Sequence, residues 1–351
     1  MNLQDVIHNI TPPDETARDA ARARWNACAK PLGSLGLLES AIEDVAALIG
    51  SADIDLDKKA ALVLCADNGV VRQGVTQTDS SVTAAVARQL ALGRTSVCRM
   101  AVAARCRIVP VDMGILDFEG CDGVLDRRVG NGTADFTKGP AMTRGQAEQA
   151  ILTGVELVHG ETERGTELLA TGEMGIGNTT TASAVASVLL SRSVQDVTGR
   201  GAGLSDEALA RKIKAIRCGV STNRPAAWDP VDALAKVGGF DLAGLCGVYL
   251  GCALYRVPVL IDGFPSAVAA LCAARLCPDA TKAMLASHLS AEPAGVMVLR
   301  ALGKRPLITA DMRLGEGTGA VAAMPLLDMA LAVYRDAYTF TEGGIEPYTL
   351  Q

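Results

Sequence analysis

Short apolar runs alternate with longer Ala-rich segments from about residue 60 onward, which predicts a repeating order of strands and helices. Four of these runs are predicted strands, each ending at an Asp or a Gly-rich turn: residues 61–65, 107–111, 168–170 and 257–261. Helices that return the chain between such strands place them side by side in the same direction. The pattern therefore predicts an α/β fold built on a parallel sheet.

The two ends of the chain have a helical pattern instead. Residues 14–29 are predicted to form a helix that stops before Pro31, because proline cannot continue a helix. A second helix is predicted over residues 35–49, and residues 331–338 are predicted to be helical as well. No strand is predicted in the first helical unit, and the last dozen residues are expected to be irregular.

Polar residues directly follow several predicted strands. In an open parallel sheet the carboxyl ends of the strands share one edge, where ligands bind. Asp67, Asp112, the loop from Gly172 and Asp262 are therefore predicted to lie on one rim. Helix capping and turn formation explain each Asp on its own, and this is the favoured interpretation of any single one.

Composition and charge exclude several function classes. Apolar residues make up 49% of the 351-residue chain, charged residues 21%, and the formal net charge is −6. No block of Lys and Arg is present, so nucleic-acid binding is not expected. The first residues lack a basic flank followed by an apolar core, so no signal peptide is predicted and a cytoplasmic location is expected. The apolar stretch at 245–260 contains Gly251, Arg256 and Pro258, which argues against a membrane span.

The ten cysteines do not indicate a disulfide framework or a metal site. They are expected to be reduced, buried apolar side chains. The three histidines lie far apart in the sequence, and no Cys pair has the spacing of a zinc knuckle. A metal site is therefore not expected.

Three Gly-rich loops carry candidate chemistry: GEMGIGNTTTAS at 172–183, GRGAG at 199–203 and MRLGEGTGA at 312–320. The first loop follows a predicted strand and precedes a predicted helix, which places backbone N–H groups and Thr hydroxyls where a phosphate binds. A tight turn with Asn178 or Thr179 as N-cap explains the same residues equally well. The loop has no Walker Lys.

Two glutamates in these loops, Glu173 and Glu316, have glycines beside them. A carboxylate with so little neighbouring side chain is a candidate for proton transfer, although a solvated loop glutamate is the simpler interpretation. Lys212, in a helix predicted over residues 206–217, could reach an anion on the same rim. Lys212 and Lys214 could equally be ordinary surface residues.

Seven segments together resemble the signature blocks of the nicotinate-nucleotide:dimethylbenzimidazole phosphoribosyltransferase family. In chain order, from residue 30 to residue 320, they are KPLGSLGLLE, ADNGV, GEMGIGNTTTAS, GRGAG, DGFPSAVAA, SHLSAEPAG and MRLGEGTGA. The resemblance implies transfer of the phosphoribosyl group of nicotinate mononucleotide to 5,6-dimethylbenzimidazole, with release of nicotinate and without a cofactor. The product would be α-ribazole 5′-phosphate, used for the lower ligand of cobalamin.

The resemblance also implies an architecture. A large Rossmann-like domain would span residues 60–320 and carry the active site. A small helical domain would combine residues 1–59 with about 321–351, and the protein would be a homodimer. Its partners would be small-molecule substrates only, with no nucleic acid and no membrane.

The same resemblance implies roles for individual residues. Glu316 falls on the family's catalytic base, Glu173 on its second acidic residue, and Lys212 on its phosphate-binding lysine. The remaining residues implied for the nucleotide site are Gly175, Gly177, Asn178, Thr179, Gly201 and Asp262.

The chain departs from the family pattern on the side of the acceptor base. Asn68 stands where a His is usual, and residues 74–79 lack the expected aromatic–Pro pair. The acceptor pocket is predicted to contain Ser80, Ser81, Gln89 and Leu314. Dimethylbenzimidazole is the expected acceptor, with another benzimidazole, a purine or a phenolic compound as alternatives.

Two other function classes stay open from the residues alone. A kinase or NTPase could use the loop at 172–183, but no GK[ST] follows its glycines. A non-catalytic protein could bind the nucleotide without releasing nicotinate.

Overall fold

A six-stranded parallel sheet forms the centre of the computed structural model, which describes residues 1–348. Its spatial order is β3-β2-β1-β4-β5-β6, with β1 (Lys59–Ala66), β2 (Cys106–Gly114), β3 (Leu125–Asp126), β4 (Leu168–Met174), β5 (Val259–Ile261) and β6 (Met284–Ala286). The four strands predicted from the sequence are confirmed as β1, β2, β4 and β5. The α/β class and the Rossmann-like parallel sheet are confirmed with them.

Fifteen helices surround the sheet in the described residues. They are α1 (Leu3–Asn9), α2 (Glu15–Ala27), α3 (Leu37–Ile49), α4 (Ser81–Ala91), α5 (Ser96–Ala103), α6 (Arg144–Glu163), α7 (Asn178–Leu189), α8 (Val194–Val197), α9 (Asp206–Asn223), α10 (Pro230–Val237), α11 (Phe240–Leu254), α12 (Phe264–Leu276), α13 (Gly295–Ala301), α14 (Thr318–Asp336) and α15 (Phe340–Gly343). Short 3₁₀ helices occupy Gly69–Gln73 and Pro278–Ala283. The helices predicted over 14–29 and 35–49 correspond to α2 and α3.

Both faces of the sheet are covered, because alternate residues of β1 enter different cores. Ala60, Leu62 and Leu64 pack into a core shared with α6, α7, α11 and α12. Ala61, Val63 and Cys65 pack into the opposite core, with α2, α3, α4, α5 and α14. A strand buried on both faces has a continuous apolar sequence, which is why β1 could be predicted.

The apolar stretch at 245–260 contains most of a buried helix, α11, followed by β5. Helix α11 packs closely on α6, because a Cβ atom at Gly247 would overlap the backbone of Ile151. It also packs closely on β1, because a Cβ atom at Gly244 would lie 2.6 Å from Leu64. Among residues 1–348, no helix is both long and apolar enough to span a bilayer.

Helices from both chain ends pack against each other. The rings of Trp25 and Tyr334 lie 5.1 Å apart, and Arg24 Nε donates to the carbonyl of Tyr334 at 3.0 Å. These helices also share a core with one face of the sheet. The division into a large domain at 60–320 and a small helical domain therefore stays a prediction, and its last residues, 349–351, lie outside the described part of the chain.

The strand order creates a crevice at one edge of the sheet. After β1 the chain adds β2 and β3 on one side and then returns to add β4 on the other side of β1. Neighbouring loops diverge at the carboxyl ends of such strands, which opens a ligand site. Asp67, Asp112, the loop after Gly172 and Asp262 all lie on this edge, as the sequence predicted.

Two of these aspartates stabilise loops. Asp67 accepts hydrogen bonds from Leu116 N–H at 2.9 Å and from Thr83 Oγ1 at 2.6 Å. Asp112 accepts from the N–H groups of Gly114 and Ile115 at 2.9 and 2.8 Å. The turn-forming interpretation of Asp67 and Asp112 is therefore confirmed.

Candidate active site

A cleft of about 710 Å³ opens at the carboxyl edge of the sheet. Segments that follow β4, β5 and β6, the turn before α14, and residues 75–78 and 200–204 form its walls. It brings together nine residues that the sequence singled out: Glu173, Gly175, Gly177, Asn178, Thr179, Gly201, Lys212, Leu314 and Glu316.

The amino terminus of α7 forms one wall of the cleft. Gly177, with φ 94°, directly precedes the helix in a conformation that favours glycine. A Cβ at Gly177 would lie 2.9 Å from Val71, and one at Gly175 would overlap the carbonyl of Ala66. Both glycines therefore let the loop pack against the end of β1 and the 3₁₀ helix that follows it. Thr179 N–H, in the first turn of the helix, has no partner among the described residues and is available to an anion at this wall.

Lys212 reaches the same wall from α9. Its side chain is 1% exposed, and Nζ donates to Thr179 Oγ1 at 2.9 Å and to the carbonyl of Gly199 at 3.1 Å. An ammonium group has three donors, so these two bonds leave one for a ligand. Burial lowers the pKa of Lys212 to about 8, and the negative charge of Glu292 opposes that shift.

Glu173 lies at the carboxyl end of β4, just before the loop that leads into α7. Its side chain is 5% exposed and accepts a hydrogen bond from Asn178 Nδ2. Burial raises the pKa of Glu173 well above its usual range, and the charges of Asp241, Asp262 and Glu316 add to the effect. A cationic ligand beside it would favour its ionised form.

Glu316 lies across a tight turn between Gly315 and Gly317. The three residues have φ values of 85°, 59° and 88°, so a non-glycine residue occupies the left-handed region. The turn fits against β4 because Gly172 has no Cβ, which would lie 2.7 Å from the carbonyl carbon of Glu316. Glu316 N–H donates to the carbonyl of Glu173 at 3.2 Å, which ties the two glutamates together.

The carboxyl group of Glu316 is available for chemistry. Its Oε2 atom is buried and has no hydrogen-bond partner among the described residues. Burial raises the pKa of Glu316, and the negative charge of Asp262 raises it further. A carboxylate with a raised pKa is a stronger base than an ordinary one.

Asp262 lies behind Glu316 and does not line the cleft. Its Oδ2 accepts from Gly317 N–H at 3.0 Å, and its Oδ1 accepts from Gly319 and Ala320 N–H at 2.8 and 3.1 Å. These bonds cap the amino terminus of α14. The predicted contact of Asp262 with the nucleotide stays a prediction.

The four residues predicted for the acceptor pocket lie in different places. Leu314 lines the cleft and is 58% exposed. Ser80 and Ser81 line a neighbouring cavity of about 750 Å³. Gln89 is exposed on α4 and lines neither space.

The segment at 76–78 also lines the cleft, and it belongs to the stretch 74–79 that the family resemblance places on the side of the acceptor base. Gln77 Nε2 donates to the carbonyls of Ala202 and Gly203 at 2.9 and 2.7 Å, which links this segment to the turn after Gly201.

The loop after β6 supplies three further lining residues for which the sequence carried no individual prediction: His288, Ser290 and Glu292. The pKa of His288 is lowered by burial, so the ring is neutral near pH 7. The sequence signal for these residues was that their segment, SHLSAEPAG, resembles one of the family's signature blocks. Its preceding strand, β6, has only three residues and no recognisable pattern.

Known proteins resemble this chain over nearly its whole length. The DBI_PRT family model, described as phosphoribosyltransferase, matches residues 10–345. Two relatives are named nicotinate-nucleotide–dimethylbenzimidazole phosphoribosyltransferase. The one from Acetivibrio thermocellus is 46% identical to this chain over 95% of each chain, and the one from Ruminiclostridium cellulolyticum is 44% identical over 99% of each chain. The crystal structure of CobT from Thermus thermophilus is 38% identical, with a TM-score of 0.90 over 95% of this chain and 100% of that one. These similarities show that the chain belongs to the nicotinate-nucleotide–dimethylbenzimidazole phosphoribosyltransferase family.

Proposed function

We propose that this enzyme transfers the 5-phosphoribosyl group of nicotinate mononucleotide to 5,6-dimethylbenzimidazole or a closely related base and releases nicotinate. One observation carries the proposal beyond family membership. In one cleft an unpartnered carboxylate, Glu316, lies together with Lys212 and the amino terminus of α7, two groups that would favour a phosphate. A nucleotide donor and a base that must lose a proton need both features.

The phosphate of the donor is assigned to the wall formed by α7 and Lys212. The amino terminus of α7 favours an anion through the helix dipole, and Thr179 N–H is free to donate to it. The ammonium of Lys212 is held close by Thr179 and Gly199, so it needs little reordering to add a phosphate oxygen as acceptor.

The chemistry then needs one base and no acid. One nitrogen of the benzimidazole attacks C1′ of the ribose, and the bond from C1′ to the pyridinium nitrogen breaks. The bonding electron pair goes to nicotinate, which leaves neutral at that nitrogen and needs no proton. The second benzimidazole nitrogen loses its proton to Glu316. Attack opposite the leaving group inverts C1′ and gives the α-linked product.

The other carboxyl group contributes electrostatically. Positive charge develops on the ribose ring as the bond to nicotinate breaks, and Glu173, at the end of β4, lies next to the turn that carries Glu316. Its ionised carboxylate stabilises that charge, and Asn178 orients it. Binding and orientation of both substrates in one cleft supply much of the remaining acceleration.

The assembly and location of the enzyme are also part of the proposal. We infer a homodimer in the cytoplasm, on the strength of the family resemblance. Light scattering during size-exclusion chromatography tests the dimer, since a monomer would have the mass of one chain, 36.3 kDa, and a dimer twice that mass.

Product identification tests the function itself. The protein is incubated with nicotinate mononucleotide, with and without an equimolar mixture of dimethylbenzimidazole, adenine and a phenol, in the presence of EDTA. We expect nicotinate release only when an acceptor is present, and an α-linked product by NMR. A non-catalytic binding protein would release no nicotinate, and a kinase or NTPase would stop working without Mg²⁺.

The pH dependence of kcat/KM tests the role of Lys212. Burial lowers its pKa to about 8, so the free enzyme carries the ammonium below that pH and loses it above. We therefore expect kcat/KM for nicotinate mononucleotide to fall as the pH rises through about 8. Nicotinate riboside, which lacks the phosphate, is the control substrate. An equal fall for the riboside would contradict the assignment of the phosphate to Lys212.

A further inference from the structure

We propose that Glu292 is a positioning residue that fixes the turn at 199–201 around Lys212 and thereby raises the affinity for the phosphate of the donor. The inference rests on the proposed function, because it assigns the phosphate to this wall of the cleft. Glu292 follows β6 and approaches the turn from the side opposite α9 and Lys212.

The carboxylate of Glu292 contacts the turn directly. Its Oε1 accepts a hydrogen bond from Gly201 N–H at 2.9 Å. Its Oε2 is buried and has no hydrogen-bond partner among the described residues. One oxygen therefore holds the turn, while the negative charge of the group is not neutralised by a neighbouring donor.

The turn has little room to move between its neighbours. A Cβ at Gly199 would overlap the carboxylate of Glu292, and one at Gly201 would lie 2.9 Å from Thr179 Oγ1 and 3.7 Å from Lys212 Nζ. Gly201 also has φ 52°, in the left-handed region. The turn is thus confined between Glu292 on one side and Thr179 with Lys212 on the other.

The turn connects Glu292 to Lys212 through one hydrogen bond on each side. The carbonyl of Gly199 accepts from Lys212 Nζ at 3.1 Å, while the N–H of Gly201 donates to Glu292. The charge of Glu292 also favours the charged form of Lys212 without a direct ion pair between them. Loss of the carboxylate would loosen the acceptor of the ammonium and remove its nearby counter-charge.

Calorimetric titration separates this role from direct contact with the sugar. Binding of nicotinate mononucleotide and of nicotinate riboside is measured for wild type, Glu292→Gln and Glu292→Ala. Glu207→Gln serves as the control, because Glu207 is an exposed residue in the first turn of α9, the helix that carries Lys212. Thermal unfolding confirms that each variant folds.

We expect Glu292→Gln to raise Kd and KM for the mononucleotide about tenfold, because a neutral hydrogen bond replaces a charge-assisted one and the counter-charge of Lys212 is lost. The kcat should stay within about twofold of wild type, because a group that supports only binding changes KM alone. Binding of the riboside and all properties of Glu207→Gln should stay unchanged. In a Lys212→Met background, Glu292→Gln should add little, because both act on the same phosphate.

Three results would overturn the inference: an equal loss of riboside affinity, which indicates direct contact with the sugar; a lower kcat at unchanged KM; or unchanged mononucleotide affinity in both Glu292 variants. Failure of the proposed function is distinguishable, because wild type would then release no nicotinate with any acceptor. The difference between mononucleotide and riboside in the titration would still decide the role of Glu292.

Discussion

Replacing Glu316 by Gln is expected to lower kcat by about 10²- to 10⁴-fold, the range that a general base contributes. The amide keeps the shape of the side chain and cannot accept the proton of the attacking base. The KM for nicotinate mononucleotide should change by less than about threefold, because Glu316 acts in the transition state rather than in donor binding. Steady-state assays of nicotinate release measure both constants.

An acceptor that has no proton to lose distinguishes a base from a merely electrostatic group. With 1-methylbenzimidazole, attack on C1′ gives a cationic product and no proton has to be removed. Glu316→Gln should then lose much of its defect relative to wild type. A loss of the same size with both acceptors would show that Glu316 acts through its charge or position, and the general-base assignment would be wrong.

Besides Glu173, whose pKa is also raised by burial, the environment of Glu316 shapes the acidic limb of the pH profile. Burial and the charge of Asp262 raise its pKa, and only the ionised carboxylate can act as the base. Activity should therefore be lost, as the pH falls, at a higher pH than an ordinary glutamate would give. Together with the loss of charge on Lys212 near pH 8, this predicts a bell-shaped profile for kcat/KM.

The sequence was sufficient to predict the fold where burial leaves a continuous pattern. Strand β1 is apolar along most of its length because it faces a core on both sides, and the Ala-rich helices beside it have a helical spacing. Strands β3 and β6 have only two and three residues. Their pairing depends on neighbouring strands in space, so no local pattern marks them.

The site was predictable only in part, for a related reason. Residues of one Gly-rich loop, such as Glu173 and Asn178, are close in sequence and could be placed together. Glu292 reaches the turn at Gly201 from 91 positions away in sequence, a contact that spacing cannot show. A glycine such as Gly175 is required by its contact with the carbonyl of Ala66, and that requirement also exists only in three dimensions.

Replacing Asp262 by Ala is expected to destabilise the protein by about 3 kcal/mol, because several buried N–H groups lose their acceptor. Asp262 accepts three hydrogen bonds at the start of α14, from Gly317, Gly319 and Ala320. The turn that carries Glu316 is attached to the same helix terminus, so kcat should fall as well. Urea denaturation measures the free energy of unfolding, and assays of the folded variant measure kcat.

A helix cap elsewhere in the chain provides the matched control. Asp14 caps α2 by accepting hydrogen bonds from Thr16 and Ala17 N–H, on an exposed part of the surface. Asp14→Ala should cost about 1 kcal/mol and leave kcat unchanged, since α2 supplies no lining residue of the cleft. A variant Asp262→Asn with wild-type stability but much weaker binding of nicotinate mononucleotide would contradict the capping role. That outcome would instead support the direct nucleotide contact implied by the family resemblance.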